Sequence, residues 1–421
     1  MKNIRQLVFW GLDFLRGGLV LKNYKEIQQN NPLMREERLK GILSYAIEHV
    51  PFYKGKNYNE LKDFPVMNKL IFKQEGVNCI SDEYPNYKKL YTVKTSGSTG
   101  TPLVVYLDPN KRQRVIADLL VINDKIGWDL GSNYAFVRNW TSNYQQSKIE
   151  RIAKNFIAVS VGDFDDDNKE KLYTYFFKYK HSIFVGYSSS VCDFMDWIKR
   201  TGKDAKAIQL KLIHCSAEDL HENKRKELRD LFGCPVYNRY SNEEAGLIAM
   251  MMDDSDVFQV NTASLRIELL KLNCDEYVEP GEMGRVILTD LFNRAMPLIR
   301  YDIGDLAISN DSSDNVKTIV KLCGRSADIL CAPDGILIGS TTPAVVAETI
   351  NGILKWQLAQ VSEKKFEFRY VGNLTESEKS ELSSRLRNSL GKLAEYEIVE
   401  KQNLPLSKNG KFKTIINEIP K

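Results

Sequence analysis

Between residues 103 and 240, short apolar runs alternate with longer stretches whose apolar residues recur at helical spacing. This alternation limits the fold more than any other feature of the chain. The runs at 103–107, 134–137, 182–185, 210–214 and 236–240 read as strands, and the stretches near 115–125, 169–179 and 190–200 as helices. Strand and helix in turn argue for an α/β domain. Upstream, Leu39, Ile42, Leu43, Ala46, Ile47 and Val50 predict a helix over 35–50 that Pro51 ends. Beyond Gly324-Arg325 the pattern changes to a helix at 343–354, strands at 366–371, 396–401 and 411–419, and a charged helix at 376–393. That make-up suits a small α+β module. The expected organisation is an N-terminal domain over 1–325, a C-terminal domain over 326–421 and a hinge near 325, with ligand in the cleft between them.

The 421 residues exceed one compact domain, and their 43% hydrophobic and 27% charged content is that of a folded globular protein. A net charge of +4 is too small to argue for nucleic acid, but a mild basic excess suits anionic small molecules. The seven cysteines are scattered and odd in number, which reads as reduced thiols in the cytoplasm. No apolar run reaches the ~18 residues that a membrane span needs. Residues 1–22 are apolar but interrupted by Arg5, Asp13 and Arg16. They predict an amphipathic helix packed on its own protein, with peripheral membrane contact as the alternative.

Five segments carry chemistry. Thr95-Ser96-Gly97-Ser98-Thr99-Gly100-Thr101-Pro102 lies between two strand-like runs. Its glycines permit a tight turn whose N–H groups and hydroxyls can surround phosphate oxygens, and the absence of Gly-Lys-Ser/Thr excludes a Walker loop. Tyr240-Ser241-Asn242-Glu243-Glu244 ends a strand, where an aromatic ring can stack on a purine and a carboxylate can hold Mg²⁺. In Pro297–Asp305, Asp305 follows the Gly304 turn and can accept from both ribose hydroxyls. Gly324-Arg325-Ser326-Ala327-Asp328 stands at the hinge. In the segment 405–413, Lys411 follows Gly410, on a turn from which its ammonium can neutralise a transferring phosphate.

In this order the segments resemble the adenylate-forming superfamily, and most closely its phenylacetate–CoA ligase branch with the capsular polysaccharide biosynthesis proteins related to it. The resemblance extends to Arg38–Ala46, Val50-Pro51-Phe52-Tyr53, Phe64–Lys69, Gly281–Val286 and Arg294–Tyr301. It implies an α/β fold with a large multi-layer N-terminal domain and a small α+β C-terminal lid. It implies activation of a carboxylic acid by ATP and Mg²⁺ to an acyl-adenylate, then transfer to CoA or to an amino or hydroxyl acceptor. By position, Thr95, Ser96, Gly97, Ser98, Thr99 and Gly100 would hold the β- and γ-phosphates. Ser216, Ala217 and Glu218 would form the adenine-contacting turn, and Tyr240 would stack on the base. Glu244 would bind Mg²⁺, Asp305 the ribose with Arg325 assisting, and Lys411 the substrate carboxylate and α-phosphate. Gly186, Tyr187 and Ser188 would line the acyl pocket.

The chain departs from the pattern in places. Residue 243 is Glu where many relatives have Thr, and residue 327 is Ala where the hinge is commonly acidic. The stretch 250–258 lacks the Cys and His of the phenylacetate branch, which counts against an aryl-acetate substrate and a structural zinc. Two further readings stay open: an adenylyltransferase moving AMP onto a hydroxyl, and a non-catalytic nucleotide-binding partner in polysaccharide assembly.

Overall fold

The computed structural model of the chain describes residues 4–95, 102–140, 147–253, 255–326, 330–335, 337–338, 346–347, 350, 352–391, 393–405 and 412–419. Its helices are α1 (Ile4–Leu15), α2 (Leu19–Gln28), α3 (Pro32–His49), α4 (Lys69–Glu75), α5 (Pro109–Lys125), α6 (Lys148–Lys154), α7 (Asp166–Lys178), α8 (Ser188–Thr201), α9 (Glu222–Phe232) and α10 (Glu376–Leu390). A hairpin joins β1 (Tyr91–Lys94) to β2 (Val104–Leu107).

The main sheet draws on β3 (Tyr134–Arg138), β4 (Phe156–Ser160), β5 (Ile183–Tyr187), β6 (Leu212–Ser216), β7 (Val236–Asn242), β8 (Gly246–Met251) and β9 (Phe258–Val260). Next in the chain come β10 (Leu265–Leu270), β11 (Met283–Asp290), β12 (Tyr301–Ile308), β13 (Thr318–Ile319) and β14 (Lys321–Arg325). The main sheet has the order β13-β9-β8-β7-β6-β5-β3-β4, and β3 to β7 run parallel. An antiparallel sheet has the order β10-β11-β12-β14.

The last strands are β15 (Leu330–Cys331), β16 (Leu337–Ile338), β17 (Ile353–Gln360), β18 (Lys365–Gly372), β19 (Glu395–Glu400) and β20 (Ile415–Asn417). β17 to β20 form a mixed sheet that buries Phe366, Phe368 and Tyr370 against Leu382, Leu386 and Leu390 of α10.

Two layers flank the parallel strands because alternate residues face opposite sides. Ala135, Val137, Phe184, Ile213 and Val236 pack with Phe176, Phe194, Trp197 and Leu228 from α7, α8 and α9. Ile183, Val185 and Leu212 pack with Leu119 and Ile122 of α5 on the other side. Two ion pairs lock α5 in place. Lys111 Nζ lies 2.8 Å from Asp290 Oδ2, with neither side chain exposed, and Arg114 Nη1 lies 2.7 Å from Glu26 of α2.

Two expectations are corrected. Ile353 and Leu354 open β17 instead of closing a helix, because Ile353 pairs with Gly372 of β18. α1 does not bury its apolar stripe: Ile4, Leu7, Val8, Leu12, Phe14 and Leu15 are all exposed. Its buried residue is Asp13, whose carboxylate accepts from Val20 and Leu21 N–H at the start of α2. No helix among the described residues is long and apolar enough to cross a membrane.

Candidate active site

A cavity of about 1050 Å³ opens at the carboxyl ends of the parallel strands. The chain runs from β3 outward to β4 and returns to the other side of β3 as β5. The crevice between β3 and β5 is therefore a topological switch point, where open α/β sheets bind ligands. Six basic side chains line the cavity, Lys69, Lys94, Arg112, Arg138, Arg239 and Arg325, against the acids Glu243, Glu244, Asp302 and Asp305. The positive excess suits a polyanion.

One end is built by β12, β14 and the turn after β7. Asp305 pairs in register with Arg325, and Arg325 Nε lies 3.4 Å from Asp305 Oδ1. The hydroxyl of Tyr240 donates to Asp305 Oδ2 at 2.7 Å. Burial and then the Asp305 charge push the Tyr240 phenol well above its ordinary value, so it stays a donor. Glu244 is buried and accepts from the Tyr301 hydroxyl at 3.3 Å. Burial raises its carboxyl above the usual range, with Arg325 opposing.

Thr95 caps the hairpin's base: its N–H donates to Leu103 O, and its Oγ1 accepts from Leu103 N–H at 3.0 Å. Ser96, Gly97, Ser98, Thr99 and Gly100, like Ala327 and Lys411, lie outside the described residues. Ser216 ends β6, and Ala217 follows with φ +68, a left-handed conformation that costs a non-glycine residue about 1 kcal/mol. Such strain gathers at functional sites.

The cavity wall thus brings together Thr95, Tyr187, Ser216, Ala217, Glu244, Asp305 and Arg325. Tyr240 stands behind Asp305 and is not part of the wall. Gly186 is also absent from it, because β5 alternation turns it toward α8, where an added Cβ would meet Val191 at 3.1 Å. Ser188 is buried in the first turn of α8 with its hydroxyl on Glu218 O.

Glu218 acts as a clasp, and its side chain is not part of the cavity wall. One carboxylate oxygen accepts from Ser189 N–H at 2.9 Å, and the other from Phe412 N–H at 3.0 Å. Tyr187, the residue before α8, supplies no side-chain cap, so Glu218 satisfies one of the helix's orphan donors from outside.

Sequence reasoning assigned no site role to Lys69, Arg138 or Arg239. Lys69 sits in a segment quoted only for its resemblance. That segment is stitched to β12 by Met67 N–H donating to Arg300 O and Asp302 N–H to Met67 O. Burial lowers the Lys69 ammonium. Among the described residues no three His, Cys, Asp or Glu side chains form a metal-binding group. A lone buried carboxylate fits a magnesium ion, which keeps several waters and takes most of its oxygens from substrate phosphates.

No family model matches the chain. It is 23% identical over 315 residues to a phenylacetate-coenzyme A ligase of Pseudomonas putida, covering 70% of each chain. It is 22% identical over 346 residues to the protein CapK of Staphylococcus aureus, covering 79% of this chain and 75% of CapK. Among solved structures, 2-hydroxyisobutyryl-CoA ligase in its postadenylation state matches with a TM-score of 0.71 at 16% identity, over 90% of this chain and 88% of that one. ATP-bound MatB from Rhodopseudomonas palustris matches with a TM-score of 0.56 at 13% identity, over 76% and 65%. The fold is that of the adenylate-forming ligases, and the sequence is akin to phenylacetate–CoA ligases and CapK, as the resemblance implied.

Proposed function

We propose that this protein is an ATP-dependent, AMP-forming acid ligase that activates a carboxylic acid as its acyl-adenylate and passes the acyl group to CoA or to an amino or hydroxyl acceptor. The observation that carries this reading is the seat of Phe412. Its N–H lies on Glu218, two residues from Ser216 in the cavity wall, so the residue next to Lys411 touches the large domain beside the site. Lys413 O accepts from Gln357 and Thr414 O from Leu358 N–H, so the same segment is held from the C-terminal sheet as well.

In the reaction, a carboxylate oxygen attacks the α-phosphorus of ATP, the bond to the bridging oxygen breaks, and pyrophosphate leaves. Two anions must meet, so positioning and charge neutralisation dominate. Asp305 accepts from the ribose hydroxyls and has lone pairs enough to keep Tyr240 and Arg325 as partners. Thr95 to Gly100 hold the terminal phosphates, with Lys69 supplying charge at the same end. Lys411 bridges the carboxylate and α-phosphate. Glu244 would hold a magnesium ion, which would supply positive charge at the phosphates. Residues 1–325 and 326–421 act as separate domains, and rotation of the second carries Lys411 away before acyl transfer. The same structural neighbour in its open conformation matches with a TM-score of 0.55, against 0.71 for the postadenylation state, which supports a movable lobe.

The likeness to CapK supports a place in surface polysaccharide synthesis. The exposed apolar face of α1 supports peripheral membrane contact through residues 1–22, which vesicle co-sedimentation with and without those residues tests. Mass detection of products tests the activity itself. An acyl-AMP that is consumed with release of AMP when CoA or an amine is added fits the ligase. A stable AMP ester of a hydroxyl compound fits a transferase and overturns the reading.

A further inference from the structure

Helix α1 turns one whole face outward. At about 100° per residue, Ile4, Leu7, Val8, Leu12, Phe14 and Leu15 fall within an arc of about 160° around its axis. All six are exposed, Phe14 and Leu15 by 78% and 80%. Asp13 stands on the opposite side and is the buried residue of the helix. Its carboxylate accepts from Val20 N–H at 3.1 Å and from Leu21 N–H at 2.9 Å, satisfying orphan donors in the first turn of α2. Gly17 and Gly18, at φ +99 and +67, make the turn between the two helices. Trp10 meets Tyr24 edge-on with ring centroids 5.5 Å apart, and the Tyr24 hydroxyl donates to Asp124 of α5. The apolar face is thus held outward by the contacts on its back.

A contiguous exposed apolar face marks a contact site. The charges around it say what covers it. Between residues 4 and 25 the basic side chains are Arg5, Arg16, Lys22 and Lys25, and the acidic one is Asp13. Asp13 is engaged by α2, whereas Arg16, Lys22 and Lys25 are exposed. The next acid, Glu26, lies 2.6 Å from Arg38 and 2.7 Å from Arg114. Arg16 N–H still donates to Leu12 O, so Arg16 continues the helical turn and stands with Arg5 on one border of the stripe, beside Leu12. A second copy seated symmetrically on α1 would set these cations against their own equivalents. The 12 residues of α1 reach about 18 Å, too short to cross a bilayer but suited to a helix lying in its interface.

We propose that α1 docks this protein on a membrane surface rich in anionic lipid, with its stripe among the upper acyl chains and its cations at the lipid phosphates. Long basic side chains on the edge of an apolar stripe reach the headgroups and are drawn to a negative surface. This deepens the peripheral membrane contact proposed for residues 1–22 and rests on it, but it does not depend on the ligase chemistry. The mount is continuous with the cavity. Glu26–Arg114 and Tyr24–Asp124 bond α2 to α5, and Arg112, Val115, Ile116 and Leu119 of α5 line the cavity. A docked α1 therefore sets how the cavity faces the lipid surface.

The test is co-sedimentation of the full-length protein, without nucleotide, with vesicles of phosphatidylcholine alone and of phosphatidylcholine mixed with phosphatidylglycerol. The mixed vesicles should bind about tenfold better or more, since each basic side chain near an anionic surface adds about fivefold, and high salt should shrink the gain. Arg16→Gln with Lys22→Gln should cut the preference for the mixed vesicles about tenfold or more, and Arg16→Lys with Lys22→Arg should keep it. Phe14→Ser with Leu15→Ser should abolish binding to both. These four side chains are exposed, so melting temperatures should stay at the wild-type value. The wild-type preference stands even if a variant fails to fold. Equal binding to both vesicles overturns the inference and leaves the membrane contact standing, whereas binding to neither overturns both. A dimer seen by light scattering that Phe14→Ser with Leu15→Ser disperses makes a second copy the occupant and overturns both as well.

Discussion

The Tyr240 hydroxyl donates to Asp305 Oδ2 at 2.7 Å, and this bond ties the end of β7 in the main sheet to β12 in the antiparallel sheet. It orients a carboxylate at the cavity wall before any nucleotide arrives. Asp305→Ala should therefore raise the KM for ATP by about 10–100-fold, the cost of about 1.5–3 kcal/mol for a hydrogen bond to a charged group. Tyr240→Phe should raise it less, because Arg325 still holds the carboxylate. Steady-state kinetics against ATP check both, and an unchanged KM in Asp305→Ala would remove the ribose role.

Glu244 opposes stability and function. Burial raises its carboxyl, so the ionised form that a cation needs is disfavoured in the empty protein. The folded value lies above the unfolded one. Wild type and Glu244→Gln should thus be equally stable below the ordinary Glu range, and the Gln variant should become the more stable of the two as pH rises through the raised value. Thermal melts in chelator between about pH 4 and pH 8 read this difference. The same variant should lose about 10²-fold or more of its magnesium-dependent adenylation, as expected for a lost transition-state charge partner.

How much of this was legible in the sequence depends on the element. The strands and helices of 103–240 announced themselves, because amphipathic helices and short apolar strands differ in period. Ser216 and Glu244 could be found because each stands at a strand end or a turn, and Asp305 because it follows Gly304, although the expected turn there is continuous strand β12. Arg138 and Arg239 could not, since the pairing of several strands is what brings them to the cavity. β10 and β11 escaped for a related reason: Ile267, Leu269, Leu270, Val286, Ile287 and Leu288 are buried on both faces, so no alternation marks them. The expectation for Glu218 comes only from the resemblance of Ser216-Ala217-Glu218 to an adenine-contacting turn. The clasp that its side chain makes to Ser189 of α8 and to Phe412 joins segments far apart in the chain, which no local pattern marks.

Glu218→Ala should loosen the C-terminal segment without touching the nucleotide site. Two hydrogen bonds to a carboxylate are lost, one across to Phe412. The expected result is a fall of about tenfold in kcat for adenylation at unchanged KM for ATP, with faster proteolysis near residues 412–414, since hydrogen bonds to charged groups contribute about 1.5–3 kcal/mol. A rise in KM without change in kcat would contradict the clasp.

Lys111 and Asp290 form a pair with no exposure at all, and they set the position of α5, whose far side lines the cavity. Lys111→Met leaves a buried carboxylate unpaired and should cost about 3–5 kcal/mol in chemical denaturation. The double variant Lys111→Met with Asp290→Leu should recover much of that loss.

Acid-dependent exchange of labelled pyrophosphate into ATP tests the central claim most directly. The panel should run from aryl and amino acids to dicarboxylates and sugar-derived acids. The account predicts exchange that requires a carboxylic acid and falls by about 10²-fold or more in Lys411→Ala. Exchange at wild-type rate in that variant, or none with any acid while ATP binds normally, would contradict it.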